Sequence, residues 1–103
     1  MATQRESRVT NAIRQAVLKA YPGAVLWKIH GGSMQRAGIP DLIGCIRGRF
    51  VALEVKHPDA ARGLTRLQES ALEAVQKAGG LAYGPVVDPE EVLYLLSEDL
   101  PEG

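Results

Sequence analysis

The sequence predicts an α/β domain of element order αβββαβα, a mixed four-stranded sheet flanked by helices. Three observations carry this expectation. Three longer segments place apolar residues at helical spacing, and four short ones alternate or are apolar throughout. Gly- and Pro-containing turn signals separate them. The second long segment lies between the third and fourth short ones, where a crossover helix makes two strands parallel.

The first helix is TQRESRVTNAIRQAVLKA, Thr3 to Ala20. Thr3 and Glu6 match a capping box. Val9, Ile13, Ala16, Val17 and Ala20 form its apolar stripe, and Tyr-Pro-Gly ends it. AVLWKIH is the first strand and GGSMQRAG a glycine-rich loop. DLIGCI and FVALEVK are the arms of a hairpin around Arg-Gly-Arg, and HPDAARG is a loop. The second helix runs from Thr65 to Ala78. Thr65 and Gln68 repeat the capping-box pattern, Leu67, Ala71, Ala74, Val75 and Ala78 form the inner stripe, and Gly79-Gly80 stop the helix. LAYGPVV is the fourth strand. Asp88 caps a last, acidic helix over about 88–99, with Pro89 in its first turn.

At 103 residues the chain is expected to form one domain, 1–103. So small a core favours a homodimer that hides more apolar area. The single cysteine, Cys45, excludes an intramolecular disulfide and a cysteine-based zinc cluster. Its apolar strand predicts a core position, and a reducing cytoplasm is the expected compartment. No apolar run reaches transmembrane length and the N-terminus is polar, so no membrane partner is expected. The formal net charge is zero but lopsided. Residues 1–87 hold all 12 Lys and Arg with six acids; residues 88–103 hold six acids and no base. That permits a phosphate-binding face on the main body. A solvated acidic helix accounts for the same distribution.

The hairpin carries the chemistry. Along FVALEVK, Val51, Leu53 and Val55 point one way and Ala52, Glu54 and Lys56 the other. Asp41, at the outer end of the first arm, shares the face of Glu54 only if a two-residue turn sets the register. A three-residue turn puts Asp41 opposite Val55 unless a bulge intervenes. Two carboxylates that close repel unless a cation lies between them. Oxygen ligands suit Mg²⁺ or Mn²⁺, which recruit phosphate oxygens. The backbone carbonyl of Val55 is a further oxygen donor. Lys56 supplies a positive charge for a phosphorane-like transition state, so the set suits metal-assisted attack of water on phosphorus. An isolated Glu-x-Lys on a strand is more often a plain ion pair; the added Pro-Asp, 13 residues before the glutamate, makes the pattern specific.

GIPDLIG, FVALEVK and GLTRLQ resemble the VRR-NUC (virus-type replication-repair nuclease) domain, a branch of the PD-(D/E)xK nuclease superfamily. The resemblance runs from about Glu6 to Tyr83; the loop HPDAARGLT is longer than the short link expected of the family. It implies a restriction-endonuclease-like fold and a metal-dependent DNA endonuclease, often dimeric, of phage or bacterial origin. Its substrates would be branched, as for Holliday-junction resolvases, in DNA repair. A phage-encoded protein would work in the host-cell cytoplasm. By the same resemblance Asp41 and Glu54 are metal ligands, Lys56 is the catalytic lysine and Gln68 supports the site. Glu6 matches the acidic residue of the family's first helix. Capping is the other role open to both Gln68 and Glu6, and for Gln68 the two roles are compatible.

Arg36, Arg47, Arg49, Arg62 and Arg66 are candidate contacts to DNA phosphates, with surface solvation as the alternative for each. Lys28 and His30 alternate on the first strand as further candidates, and Trp27 is expected in the core or a dimer interface. Two other functions are open to these residues. One is a non-catalytic DNA-binding or assembly module on the same fold. The other, a carboxylate-pair sugar hydrolase, lacks the aromatic residues of such clefts and leaves Lys56 without a role.

Overall fold

The computed structural model describes residues 4–29, 38–59 and 63–101, with the side chains of its first helix from Arg8 onward. Its elements are α1 (Gln4–Ala20), β1 (Val25–Lys28), β2 (Leu42–Ile46), β3 (Arg49–Val55), α2 (Arg66–Lys77), β4 (Leu81–Val86) and α3 (Pro89–Asp99). The sheet order is β1-β2-β3-β4. The first three strands are antiparallel and β4 is parallel to β3, as the α2 crossover requires. The predicted mixed sheet and αβββαβα order are therefore present. No helix among the described residues is long and apolar enough to cross a membrane.

Alternation along the strands divides the sheet into two unequal faces. Leu26, Leu42, Ile46, Val51, Leu53 and Val55 point to one side, where Ile13 and Val17 of α1 and Val92 and Leu96 of α3 complete the main core. Each such side chain contributes about 1.5–3 kcal/mol on burial. The other side carries a small cluster of Ala52, Leu72 and Ala82, bordered by Ile43, Leu64 and Val75.

That asymmetry corrects several expectations. The inner face of α2 is Gln68, Leu72 and Val75, whereas Leu67, Ala74 and Ala78 are exposed. Ala52 and Ala82 are small enough that Leu72, the one buried apolar side chain of α2, fills most of the gap to the sheet, with Val75 beside it. On α1, Ala20 is exposed and Thr10 is buried beside the predicted stripe. Cys45 is exposed rather than core, and Trp27 is 62% exposed. Both lie on the face that α2 covers only over β3 and β4, because α1 and α3 occupy the opposite side. Val25, Trp27, Ile43, Cys45 and Phe50 thus line a bare apolar hollow over β1 and β2.

The helix ends follow their sequence signals. Thr65 forms a reciprocal capping box with Gln68. At α3, Asp88 accepts from the Glu91 amide at 2.8 Å, and the Glu91 carboxylate accepts from the Val87 amide at 2.8 Å. Negative groups at a helix N-terminus also complement its dipole. Part of the acidic C-terminal charge is therefore spent on capping. The predicted Thr3–Glu6 capping box lies outside the described side chains.

Tyr83 ties β4 to the far end of α3: its hydroxyl donates to the Asp99 carboxylate. Burial, and then this bond and the charge of Asp99, push the phenol above its usual range. The neutral phenol is thus the form the fold favours. The stabilisation is complete below the unfolded pKa, near 10, and is lost as pH rises above it toward the folded value. Tyr83→Phe is expected to be less stable than wild type at pH 8, with the difference shrinking through the alkaline range in urea titrations.

Candidate active site

The β2–β3 turn decides the site. Ile46 pairs with Arg49, so the loop has two residues, Arg47 and Gly48, with φ of 52° and 81°. Positive φ at both central positions matches the right-handed twist of the flanking strands. The pairing runs Cys45↔Phe50, Ile43↔Ala52 and Leu42↔Leu53. One step on, the register sets Asp41 against Glu54, on the side of Ala52. The condition on the turn is met.

Asp41 is half-buried, and its Oδ2 accepts the Val55 amide at 2.9 Å. Glu54 is only 4% exposed. Its Oε2 accepts from Gln68 Nε2 at 3.3 Å and lies 3.9 Å from Lys56 Nζ. One hydrogen bond, from the Gln68 amide, and one longer ion pair, with the Lys56 ammonium, thus meet at the same buried carboxylate oxygen. Such charge-assisted contacts reduce the cost of burying the carboxylate. Lys56 remains partly open to solvent.

A bulge in β4 makes room for Glu54. Leu53 pairs with Tyr83 but Val55 with Val86, so β4 has one extra residue opposite Glu54. The extra chain is Gly84-Pro85. A Cβ on Gly84 would lie 2.8 Å from Glu54 Cβ and from Leu72 Cδ1. Only glycine leaves the glutamate where it is. The Gly-Pro pair inside an apolar strand was the available signal, since proline in a strand marks an edge or a bulge.

The donor set of Asp41, Glu54 and the Val55 carbonyl is all oxygen and fits a hard divalent cation. Among the described residues, no three His, Cys, Asp or Glu side chains group closely enough to hold a metal. The described side chains bring two carboxylates to this face, and a hard cation such as Mg²⁺ commonly takes one or two carboxylates and fills its other positions with water and phosphate oxygens. The Glu6 side chain lies outside the described residues, as do Arg36, Arg62 and His30.

The remaining basic candidates separate. Arg66 is exposed at the start of α2, two residues before Gln68. Arg47 and Arg49 are at the opposite end of the hairpin. Arg49 and Glu54 are about 17 Å apart along β3 at ~3.3 Å per residue. Arg49 donates twice to the Gly79 carbonyl, at 3.1 and 2.8 Å, closing the end of α2. Arg47 stacks over Tyr21 at 5.2 Å and donates to the Leu100 and Pro101 carbonyls. Both are structural ties, not parts of the carboxylate site. Lys28 pairs with Leu42, so the register places it on the α1 side of the sheet, across from Glu54. The His57 Nδ1 accepts the Asp59 amide at 3.1 Å and closes the turn after β3.

One solved structure, a VRR_NUC domain, is similar to this chain with a TM-score of 0.67 and 24% sequence identity; the match covers 92% of this chain and 97% of that one. The chain therefore has that domain's restriction-endonuclease-like fold over nearly its whole length. No family model matches the sequence, and no curated protein matches it.

Proposed function

We propose that this chain, built on the fold of a VRR_NUC domain, is a Mg²⁺- or Mn²⁺-dependent endonuclease that hydrolyses phosphodiester bonds in structured DNA. The observation that carries the proposal is the hairpin register, which brings Asp41 and Glu54 to one face beside Lys56. Asp41, Glu54 and the Val55 carbonyl would hold the ion, with Glu6 as a further ligand from α1. A bound Mg²⁺ or Mn²⁺ supplies positive charge to the scissile phosphate and makes water a nucleophile near neutral pH.

The chain's own residues do the rest. Glu54 is held in one orientation by Gln68 and Lys56. The Lys56 ammonium, partly solvent-accessible, meets the charge that builds on the phosphate as water attacks. The leaving 3′ oxygen takes up a proton, and a 5′-phosphate remains on the product. Arg66, Arg36 and Arg62 contribute contacts to the DNA backbone without sequence preference.

A second copy of the chain is the proposed partner, because two sites related by a two-fold axis can meet both sides of a branched junction. The bare face of Trp27, Val25 and Phe50 supports this: an apolar surface left open in the monomer is a marker of association. A reducing cytoplasm, of a bacterium or of a phage host, suits the exposed thiol of Cys45.

The test is cleavage of four-way, flap and duplex DNA with Mg²⁺ or Mn²⁺ by the wild type and Glu54→Ala. Metal-dependent cutting of the branched substrates, with 5′-phosphate ends and none in the variant, is expected. Tight binding without cleavage under every condition would assign the chain to the DNA-binding alternative.

A further inference from the structure

We infer that Thr65 is a positioning residue for Glu54, acting through the side-chain amide of Gln68. The inference concerns the metal-free protein; its consequence for metal affinity rests on the function proposed above. Gln68 is bonded at both ends of its amide. Oε1 accepts the Thr65 backbone N–H at 2.8 Å, and Nε2 donates to Glu54 Oε2 at 3.3 Å. The two ends are chemically opposite, so the orientation at one end dictates the other. Turning the amide over would set its NH₂ against the Thr65 N–H and its oxygen against the Glu54 carboxylate. Donor would face donor and acceptor would face acceptor. The Thr65 N–H therefore selects the orientation in which Glu54 meets a donor.

The Thr65 N–H is itself fixed. Thr65 is the N-cap of α2, with φ −74° and ψ 166°, and its Oγ1 accepts the Gln68 backbone N–H at 3.2 Å. The reciprocal bonds close a rigid ring between residues 65 and 68. Capping boxes accept Glu as readily as Gln at this position. A glutamate at position 68 would satisfy the cap but present a carboxylate to Glu54. Helix capping alone thus does not require an amide; the contact to Glu54 does. The capping box serves as the outer support of the buried carboxylate, and partners of this kind tune a ligand's orientation and affinity.

Thr65→Pro removes the N–H and sets its ring Cδ where the hydrogen pointed, so the Gln68 oxygen can no longer rest there. A φ of −74° is one that proline adopts, so the backbone keeps its path while the donor is removed. The control is Thr65→Ala, which loses Oγ1 but keeps the N–H. In ¹⁵N-correlated spectra of the metal-free protein, the Gln68 side-chain amide protons are expected apart from those of exposed Gln15 and slow to exchange. They should remain so in Thr65→Ala and move onto the Gln15 position in Thr65→Pro, while the backbone amides of α2 stay helical. Mn²⁺ titration is expected to show about a tenfold higher Kd for Thr65→Pro than for Thr65→Ala. Gln68 amide signals unchanged in a folded Thr65→Pro would overturn the inference. So would a wild-type signal already at the Gln15 position, which decides the matter even if Thr65→Pro fails to fold. An absence of Mn²⁺ binding in every protein would count against the metal site and leave the spectra to decide the role of Thr65.

Discussion

Lys56→Ala is expected to lower DNA cleavage by about 10²- to 10³-fold, the usual cost of removing one charge-stabilising donor from a transition state. Mn²⁺ binding should persist, because the ammonium is not an oxygen ligand and Asp41 and Glu54 are intact. The loss should fall on kcat more than on KM, since Lys56 meets charge that develops only as bonds break. Lys56 Nζ lies 3.9 Å from Glu54 Oε2, so its removal also takes a cation from beside a buried carboxylate. Lys56→Arg restores charge but not the compact geometry of an ammonium, and is expected to recover only part of the rate. Single-turnover cleavage of a four-way junction distinguishes these outcomes. An unchanged rate in Lys56→Ala would remove the lysine from the mechanism.

Gly44→Ala is expected to cause the largest loss of stability among single substitutions in the sheet. A Cβ there would sit 1.8 Å from the Val25 carbonyl oxygen, 2.7 Å from its carbon and 2.8 Å from Leu26 Cα. All three are main-chain atoms of β1, which pairs Leu26 with Gly44 directly. No side chain can rotate away to relieve the contact. Overpacking a core with flexible neighbours costs about 1–3 kcal/mol, and this contact has none. The loss should exceed that range, a large part of the ~5–15 kcal/mol that holds a small domain folded. Urea denaturation followed by circular dichroism and by Trp27 fluorescence measures it. β1 carries Trp27, so the two probes also tell detachment of the edge strand from global unfolding. A midpoint close to wild type would show that β1 does not approach Gly44 as described.

The order of elements was legible because the segments agree at several levels. Thr65 with Gln68, and Asp88 with Pro89, announce the starts of α2 and α3, and the structure caps both helices there. The α2 crossover implied a parallel β3–β4 pair, which is present. The hairpin register was a choice between two and three turn residues that alternation alone left open. It is settled by Arg47, a non-glycine residue at φ 52°. That conformation is uncommon for arginine and is supported from outside the hairpin, by Tyr21 and by the Leu100 and Pro101 carbonyls. Contacts across more than fifty residues leave no local signature.

The same limit explains the misread face of α2. Its alanines and Leu67 make a plausible stripe, but the small Ala52 and Ala82 on the sheet let Leu72 dominate the contact and turn Gln68 toward Glu54. Charge alone made Arg47 and Arg49 candidates for phosphate contact or plain solvation, and gave no sign of the carbonyls that they also tie together. Their carbonyl partners belong to α2's end and the chain after α3, and only the fold brings those together. The Asp41, Glu54 and Lys56 pattern could be read because period-two alternation determines the face once the register is known. Glu54's dependence on the Gly84-Pro85 bulge is a tertiary matter, with only the Gly-Pro pair to hint at it.

The central claim is that Asp41 and Glu54, brought to one face by the two-residue hairpin turn, hold a divalent cation. Calorimetric titration of Mn²⁺ into the wild type, Asp41→Ala and Glu54→Ala tests it most directly. The account predicts saturable binding to the wild type and loss of the binding signal in both variants, with circular dichroism unchanged. Absence of binding to the wild type, or equal affinity in all three proteins, would contradict it.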